Sequence, residues 1–155
     1  MNDKPLHTLR PLERADLEKI GWMEAEIAKI SFPDDPITDV AFYVKKLEKL
    51  FGDKEAATFV AERDGEIVGW SYVSIRRNFI TKQPYGDYHS IYIDPSQRGS
   101  GLSNLLMNSV FDWCRAQDLG HVVFRTRATN EPMKGVLARV GFVPTQIYLE
   151  KPLKD

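Results

Sequence analysis

Between residues 17 and 30 the apolar positions Leu17, Ile20, Met23, Ile27 and Ile30 fall three or four apart, which is the buried stripe of a helix. The stretch SFPDDP at 31–36 breaks it, because proline is tolerated at helix starts and turns and not inside. A second stripe, Val40, Val44, Leu47 and Phe51, predicts another helix, with Thr38 as its N-cap and Gly52 as its stop. From residue 57 the period shortens to that of strands. Residues 57–62 alternate, Arg63-Asp64-Gly65-Glu66 carries a hairpin turn signal, and residues 67–75 are rich in Val, Ile, Tyr and Trp. Residues 76–86 read as a long polar loop, and 87–93 as the next strand. A strand over 6–10 precedes all of this.

The helical period returns with Leu102, Leu105, Leu106, Val110, Trp113 and Cys114, and ends near Gly120. Residues 121–126 predict a further strand. Asn130 can cap a short helix over 131–139, with Pro132 in its first turn and Gly141 past its end. A last strand is expected over 145–150, limited by Pro152, which cannot donate to a ladder. The order is β-αα-βββ-α-β-α-β, an α/β (α+β) arrangement on a mixed twisted sheet whose middle is a β-meander. No repeat or linker interrupts it, so residues 1–155 are expected to form one domain.

Residues 91–109, IYIDPSQRGSGLSNLLMNS, hold the strongest chemical signal. A β-branched run stops at Asp94-Pro95, a loop with Arg98, Gly99, Ser100 and Gly101 follows, and a helix begins. That order aims several backbone N–H groups at one place, with the positive end of the helix dipole behind them. First turns usually favour Asp or Glu, yet no acidic residue lies between Asp94 and Asp112. An anion from outside the chain, a pyrophosphate, is expected there. A dinucleotide fingerprint does not fit, because Asn104 stands where G-x-G-x-x-G needs its third glycine. No Walker A lysine follows a glycine loop either.

Composition narrows the classes further. Net charge is −1 from 21 basic and 22 acidic residues, so neither nucleic acid nor a membrane surface is an expected partner. The polar opening MNDKPLHTLR does not resemble a signal peptide, and no apolar run reaches the roughly 18 residues of a membrane span. The single cysteine, Cys114, excludes an internal disulfide framework, and His7, His89 and His121 lack metal-ligand spacing. A reducing cytoplasm and a metal-free site are the expectation.

With these residues in place, the chain resembles the GCN5-related N-acetyltransferases, the GNAT superfamily. IYIDPSQRGSGL resembles the family's strand and pyrophosphate loop, with Arg98 and Gly101 on the first and fourth positions of Q/R-x-x-G-x-G/A. LRPLERADLEKI is similar to its opening strand and helix, and Asn130 followed by Gly141-Phe142 matches its second signature. Two positions depart from it. Ser103 replaces the last Gly or Ala of the loop, and Leu137 stands where many members carry a general-acid tyrosine, seven residues after Asn130.

The resemblance implies an acetyl-CoA-dependent enzyme that acetylates a primary amine of a small molecule or peptide, by direct attack in a ternary complex. It implies a diphosphate on the N–H groups from Arg98 through Gly99, Ser100, Gly101 and Leu102 to Ser103. Pantetheine would lie along Ile91, Tyr92 and Ile93, with Asn130 as a cap or a further cofactor contact. Whether the acyl group is acetyl or longer stays open, and a homodimer is compatible with the sequence. The alternative is an acyl-CoA-binding sensor with little turnover, which Leu137 keeps open; a scaffold with an unused cofactor groove is a third reading.

For the proton-transfer groups, Asp87 and His89 are two apart on a strand and share a face, so both are candidate bases. His89 has the better unperturbed pKa, while Asp87 would need burial to raise its own. Tyr72, Tyr88, Tyr92 and Tyr148 are candidate acids by chemistry alone. Asp34, Asp35 and Asp39 cluster at the first helix–helix turn, where a cationic acceptor could be drawn or the charge merely solvated.

Overall fold

The structure, a computed structural model, describes residues 5–154. It divides into two compact units, Met1–Arg125 and Thr126–Asp155. In the first, β1 (Thr8–Arg10), α1 (Leu17–Ser31), α2 (Val40–Glu48), β2 (Ala56–Arg63), β3 (Glu66–Arg77), β4 (Pro84–Ile93), α3 (Leu102–Ala116) and β5 (Val122–Phe124) follow one another. Short 3₁₀ turns precede α1 and α3. The sheet order is β1-β2-β3-β4-β5, antiparallel except for the parallel β4–β5 pair that α3 connects.

Helices cover both faces of this sheet. On one side Ile20 and Met23 of α1 and Leu47 of α2 pack with Leu12, Leu17, Val60 and Trp70 into a continuous core. On the other, α3 buries Leu102, Leu106, Met107, Val110 and Cys114. Glycines let α3 approach this closely. A Cβ on Gly69 would lie 2.9 Å from Leu102 Cδ2, and one on Gly86 2.8 Å from Cys114 Sγ. The β2–β3 turn is Asp64-Gly65, both with positive φ, as a two-residue type I′ hairpin requires.

Several expectations need correction. Asp39, not Thr38, caps α2, its carboxylate accepting the Ala41 N–H at 3.0 Å. It immediately precedes the first helical residue, which is where an acceptor meets the orphan N–H groups. The predicted loop 76–86 is much shorter, because β3 runs to Arg77 and β4 starts at Pro84. Asn78 Oδ1 folds the connection by accepting from Ile80 and Thr81 N–H. Ile30 and Leu105 point outward, and Met107 takes an inward place that the stripe left unassigned.

The second unit holds α4 (Glu131–Arg139), as expected, with Asn130 at its N-cap and Gly141, φ 99°, just past its end. Residues 145–150 do not form the expected strand. Ile147, Tyr148 and Leu149 are all more than four-fifths exposed. A strand is stabilised by the ladder beside it, and alternation within the segment cannot supply that partner.

Candidate active site

The first half of the site is the turn into α3. Asp94 accepts from the Ser96 N–H at 2.9 Å and starts the 3₁₀ turn at Pro95–Gln97. Gln97 is buried and anchors the loop. Its Oε1 accepts from His7 Nε2 at 2.8 Å and from Arg63 Nη1 at 3.1 Å. The chain then turns through Gly99 and Gly101, with φ of 76° and 83°, values that disfavour any Cβ.

The N–H of Arg98 goes to Pro95 O and that of Ser100 to Gln97 O, so neither aims outward, contrary to the expectation that every N–H from 98 to 103 does. Those of Gly99, Gly101, Leu102 and Ser103 have no acceptor among the described residues. The first turn of α3 carries no acidic residue and its N-cap supplies no side-chain acceptor. An anion suits such an end, since donors and dipole point the same way.

The second half is the centre of β4. Its ladder with β3 slips by one residue, because Ser90 faces Tyr72 whereas Tyr88 faces Val73. His89 is the extra residue of this bulge. Beyond it Ile91, Tyr92 and Ile93 pair only with β3, because β5 reaches β4 only along Gly86–Tyr88. Among the described residues, one edge of β4 past the bulge therefore has no strand neighbour, and it runs straight into the glycine turn.

Side chains around the bulge form a polar cluster against α1. His89 Nε2 lies 2.6 Å from Ser74 Oγ, and its ring stacks on Tyr72 at 4.6 Å between centroids. Burial pushes the His89 pKa below its ordinary value, with Asp87 opposing that shift and Arg76 and Arg125 adding to it. The imidazole is thus held neutral near pH 7. Asp87 lies 3.9 Å from His89 Nε2, so the two do share a face. Both Asp87 oxygens are taken, however, by Arg76 Nε and Arg125 Nη1 at 2.8 Å each. Such a carboxylate is committed to charge pairing and has little left for proton abstraction.

Glu24 of α1 belongs to the same cluster, and the candidates drawn from strand and loop do not include it. Its Oε1 accepts the Trp70 indole N–H at 2.6 Å and its Oε2 the Ser90 hydroxyl at 3.1 Å. Burial pushes its pKa upward. The available signal was its spacing: it lies four residues after Ile20 and three before Ile27, on the inward stripe.

Of the tyrosines, Tyr72 is half-buried beside this cluster, and burial next to Glu24 raises its pKa. Tyr88 points to the other face and meets Ser71 Oγ at 2.7 Å. Tyr92 packs edge-on against Trp22. Tyr148 and Asn130 lie in the second unit, where Tyr148 is exposed and Asn130 Oδ1 accepts the Met133 N–H at 3.2 Å. Leu137 is buried on α4. No helix among the described residues is long and apolar enough to cross a membrane.

Residues 17–142 match the family model described as "Acetyltransferase (GNAT) family". An aminoglycoside N(6')-acetyltransferase type 1 of Stenotrophomonas maltophilia is 26% identical over 153 residues, covering 95% of this chain and 94% of that one. The N-alpha-acetyltransferase RimI of Mycobacterium tuberculosis is 28% identical over 140 residues, covering 87% and 77%. Among solved structures, AAC(6')-Iy in complex with the bisubstrate analogue CoA-S-monomethyl-acetylneamine superposes with a TM-score of 0.74. Its identity is 21%, with 96% of this chain and 99% of that one covered.

Proposed function

This chain belongs to the GNAT acetyltransferase family, a family of N-acetyltransferases, and from that premise we propose that it moves an acetyl group from acetyl-CoA to a primary amine on a small molecule or peptide, by direct attack with both substrates bound. The observation that carries the reading is the continuity between the one-sided stretch of β4 and the glycine turn. The turn suits a diphosphate and the strand edge suits the amides of a pantetheine arm, which pair as a peptide does. The relatives support the acceptor class, one being named for an aminoglycoside amine and the other as an N-alpha-acetyltransferase.

The residues divide the work. Gly99, Gly101, Leu102 and Ser103 offer backbone donors, Arg98 adds an exposed guanidinium, and Ser100 ties the turn through its hydroxyl to Gln97 O at 2.6 Å. Ile91, Tyr92 and Ile93 present the strand edge. Acetyl-CoA supplies the thioester carbonyl that the amine attacks. An amine with pKa near 10.4 is neutral in about one molecule in 2,500 at pH 7, so a base is needed. His89, neutral and at the bulge, is the proposed base. Ordering the two reactants is worth up to about 7–11 kcal/mol, so few dedicated side chains suffice.

A second reading, a CoA-binding sensor with little turnover, is favoured by the buried Leu137 where many members carry a tyrosine. One experiment separates the two: thermal stabilisation by acetyl-CoA, then thiol release with a panel of amines. Stabilisation with release supports the enzyme, and saturable stabilisation with no release from any amine supports the sensor. No stabilisation at millimolar acetyl-CoA overturns both. The free Cys114 fits a reducing compartment, and we place the protein in the cytoplasm on that ground.

A further inference from the structure

We propose that Glu24 is the carboxylate that receives the ammonium of the acceptor, which makes the chain selective for cationic amines over neutral hydroxyl or thiol acceptors. This deepens the acyl-transfer reading and rests on it. The two fully buried carboxylates, Asp16 and Asp87, each meet arginine, Asp16 through Arg10 Nη1 at 2.6 Å. Glu24 meets only neutral donors, Trp70 and Ser90, and no cation lies within ion-pair distance of it among the described residues. A charge withdrawn from water with no cation in contact, Lys46 acting only from beyond ion-pair distance, is costly and is retained where something repays the cost.

Each Glu24 oxygen accepts one hydrogen bond and keeps a lone pair for another donor. Residue 24 as a whole is half-buried rather than sealed in the core. Ser90 is the residue directly after the bulge, which sets the carboxylate beside the stretch of β4 assigned to the donor. An ammonium held there would lie against Ser90, the chain neighbour of His89, the proposed base.

Other charges around Glu24 are few. Lys46 and Tyr43 act from α2, Tyr72 from β3, and His89 neighbours Ser90 on β4. Because burial raises the Glu24 pKa, acidification neutralises this carboxylate earlier than a solvated one.

The test compares the full chain with E24Q, whose amide keeps an acceptor for Trp70 and a donor for Ser90. Spermidine, tyramine and a peptide with a free N-terminal alanine are the probes. The expected result is a tenfold or larger rise in amine KM with unchanged stabilisation by acetyl-CoA. KM for the wild type should rise on acidification through the Glu24 pKa, and E24Q should lose that limb. An unchanged amine KM in E24Q overturns the assignment, as does an equal loss of acetyl-CoA stabilisation, which marks a structural role. A wild-type protein that neither acetylates nor is stabilised by any of the three amines overturns it too. Failure of the donor reading is separately visible, because acetyl-CoA then stabilises neither protein.

Discussion

Ser74 and His89 meet at 2.6 Å across the one irregular step of the β3–β4 ladder. The contact holds the imidazole at the bulge and leaves it flat against Tyr72. His89 has a folded-state pKa below its ordinary 6.5, because burial penalises the charged ring. The unfolded chain therefore binds the proton first on acidification. The stability His89 contributes is present above pH 6.5 and falls as pH drops toward the folded pKa. Replacing it by Gln should flatten the melting temperature against pH in that window. If His89 is the base, His89→Gln should also lower kcat and abolish the acid limb of its pH profile; an unchanged profile removes it from that role.

Glu24 has the opposite sign. Its raised folded pKa means the native state holds its proton more tightly than the unfolded chain, and that contribution is lost as pH rises through the folded value. At neutral pH its ionisation weighs against folding. E24Q should therefore melt no lower than the wild type at pH 7, and higher by a few degrees if the charge is fully relieved, at roughly 2–4 °C per kcal/mol. Thermal melts at pH 5 and pH 8 check the sign, because the gap should widen at the higher pH.

Gly101 opens the first turn of α3 with φ 83° and open space where a Cβ would be. Gly101→Ala is expected to cost about 1–2 kcal/mol through backbone strain alone. Gly101→Val should in addition place a branched side chain over the free N–H groups. The fold should survive in both, while stabilisation by acetyl-CoA weakens in the alanine variant and disappears in the valine one. Titration followed by thermal shift reads both effects.

Gly86 and Cys114 should be coupled. A Cβ at position 86 would sit 2.8 Å from Sγ, which is one bond from the Cys114 Cβ and not the far end of a flexible side chain. Gly86→Ala is expected to destabilise by about 1–3 kcal/mol, as overpacking does. The double variant with Cys114→Ala should recover part of that loss, and a double-mutant cycle in urea measures the coupling. The same burial pushes the Cys114 thiol up to about 11, so it should resist alkylation at pH 8 until the protein unfolds.

Much of this was legible along the chain because it is local. The stripes at Leu17, Ile20 and Met23 and at Leu102, Leu106 and Val110 are face-specific periodicities, and both helices bury them. Asp64-Gly65 and Asn130 carry turn and cap chemistry in their own side chains or backbone freedom. Glu24 was hidden because its importance lies in Trp70 and Ser90, which are 46 and 66 residues away. The arginines that occupy Asp87 come from β3 and from the residue just past β5, which local patterns do not pair. The segment 145–150 has the composition of a strand but is not one among the described residues, because composition by itself supplies no ladder partner.

The bulge has a consequence for chain length. His89 is the one-residue offset that lets Asp87 and Ser90, three apart, both serve the α1 side of the sheet through contacts to His89 and Glu24. Deleting it would restore regular pairing and leave Asp87 and Ser90 two apart on the same face, whereas deleting Ile91 or Tyr92 would exchange the faces of the β4 residues that follow. A residue added among Asn78–Gln83 would instead be taken up by the hairpin connection. Tolerance to deletion in this strand pair is therefore graded: pairing and faces survive at the turn and at position 89, where only the imidazole is lost, and do not survive at Ile91 or Tyr92.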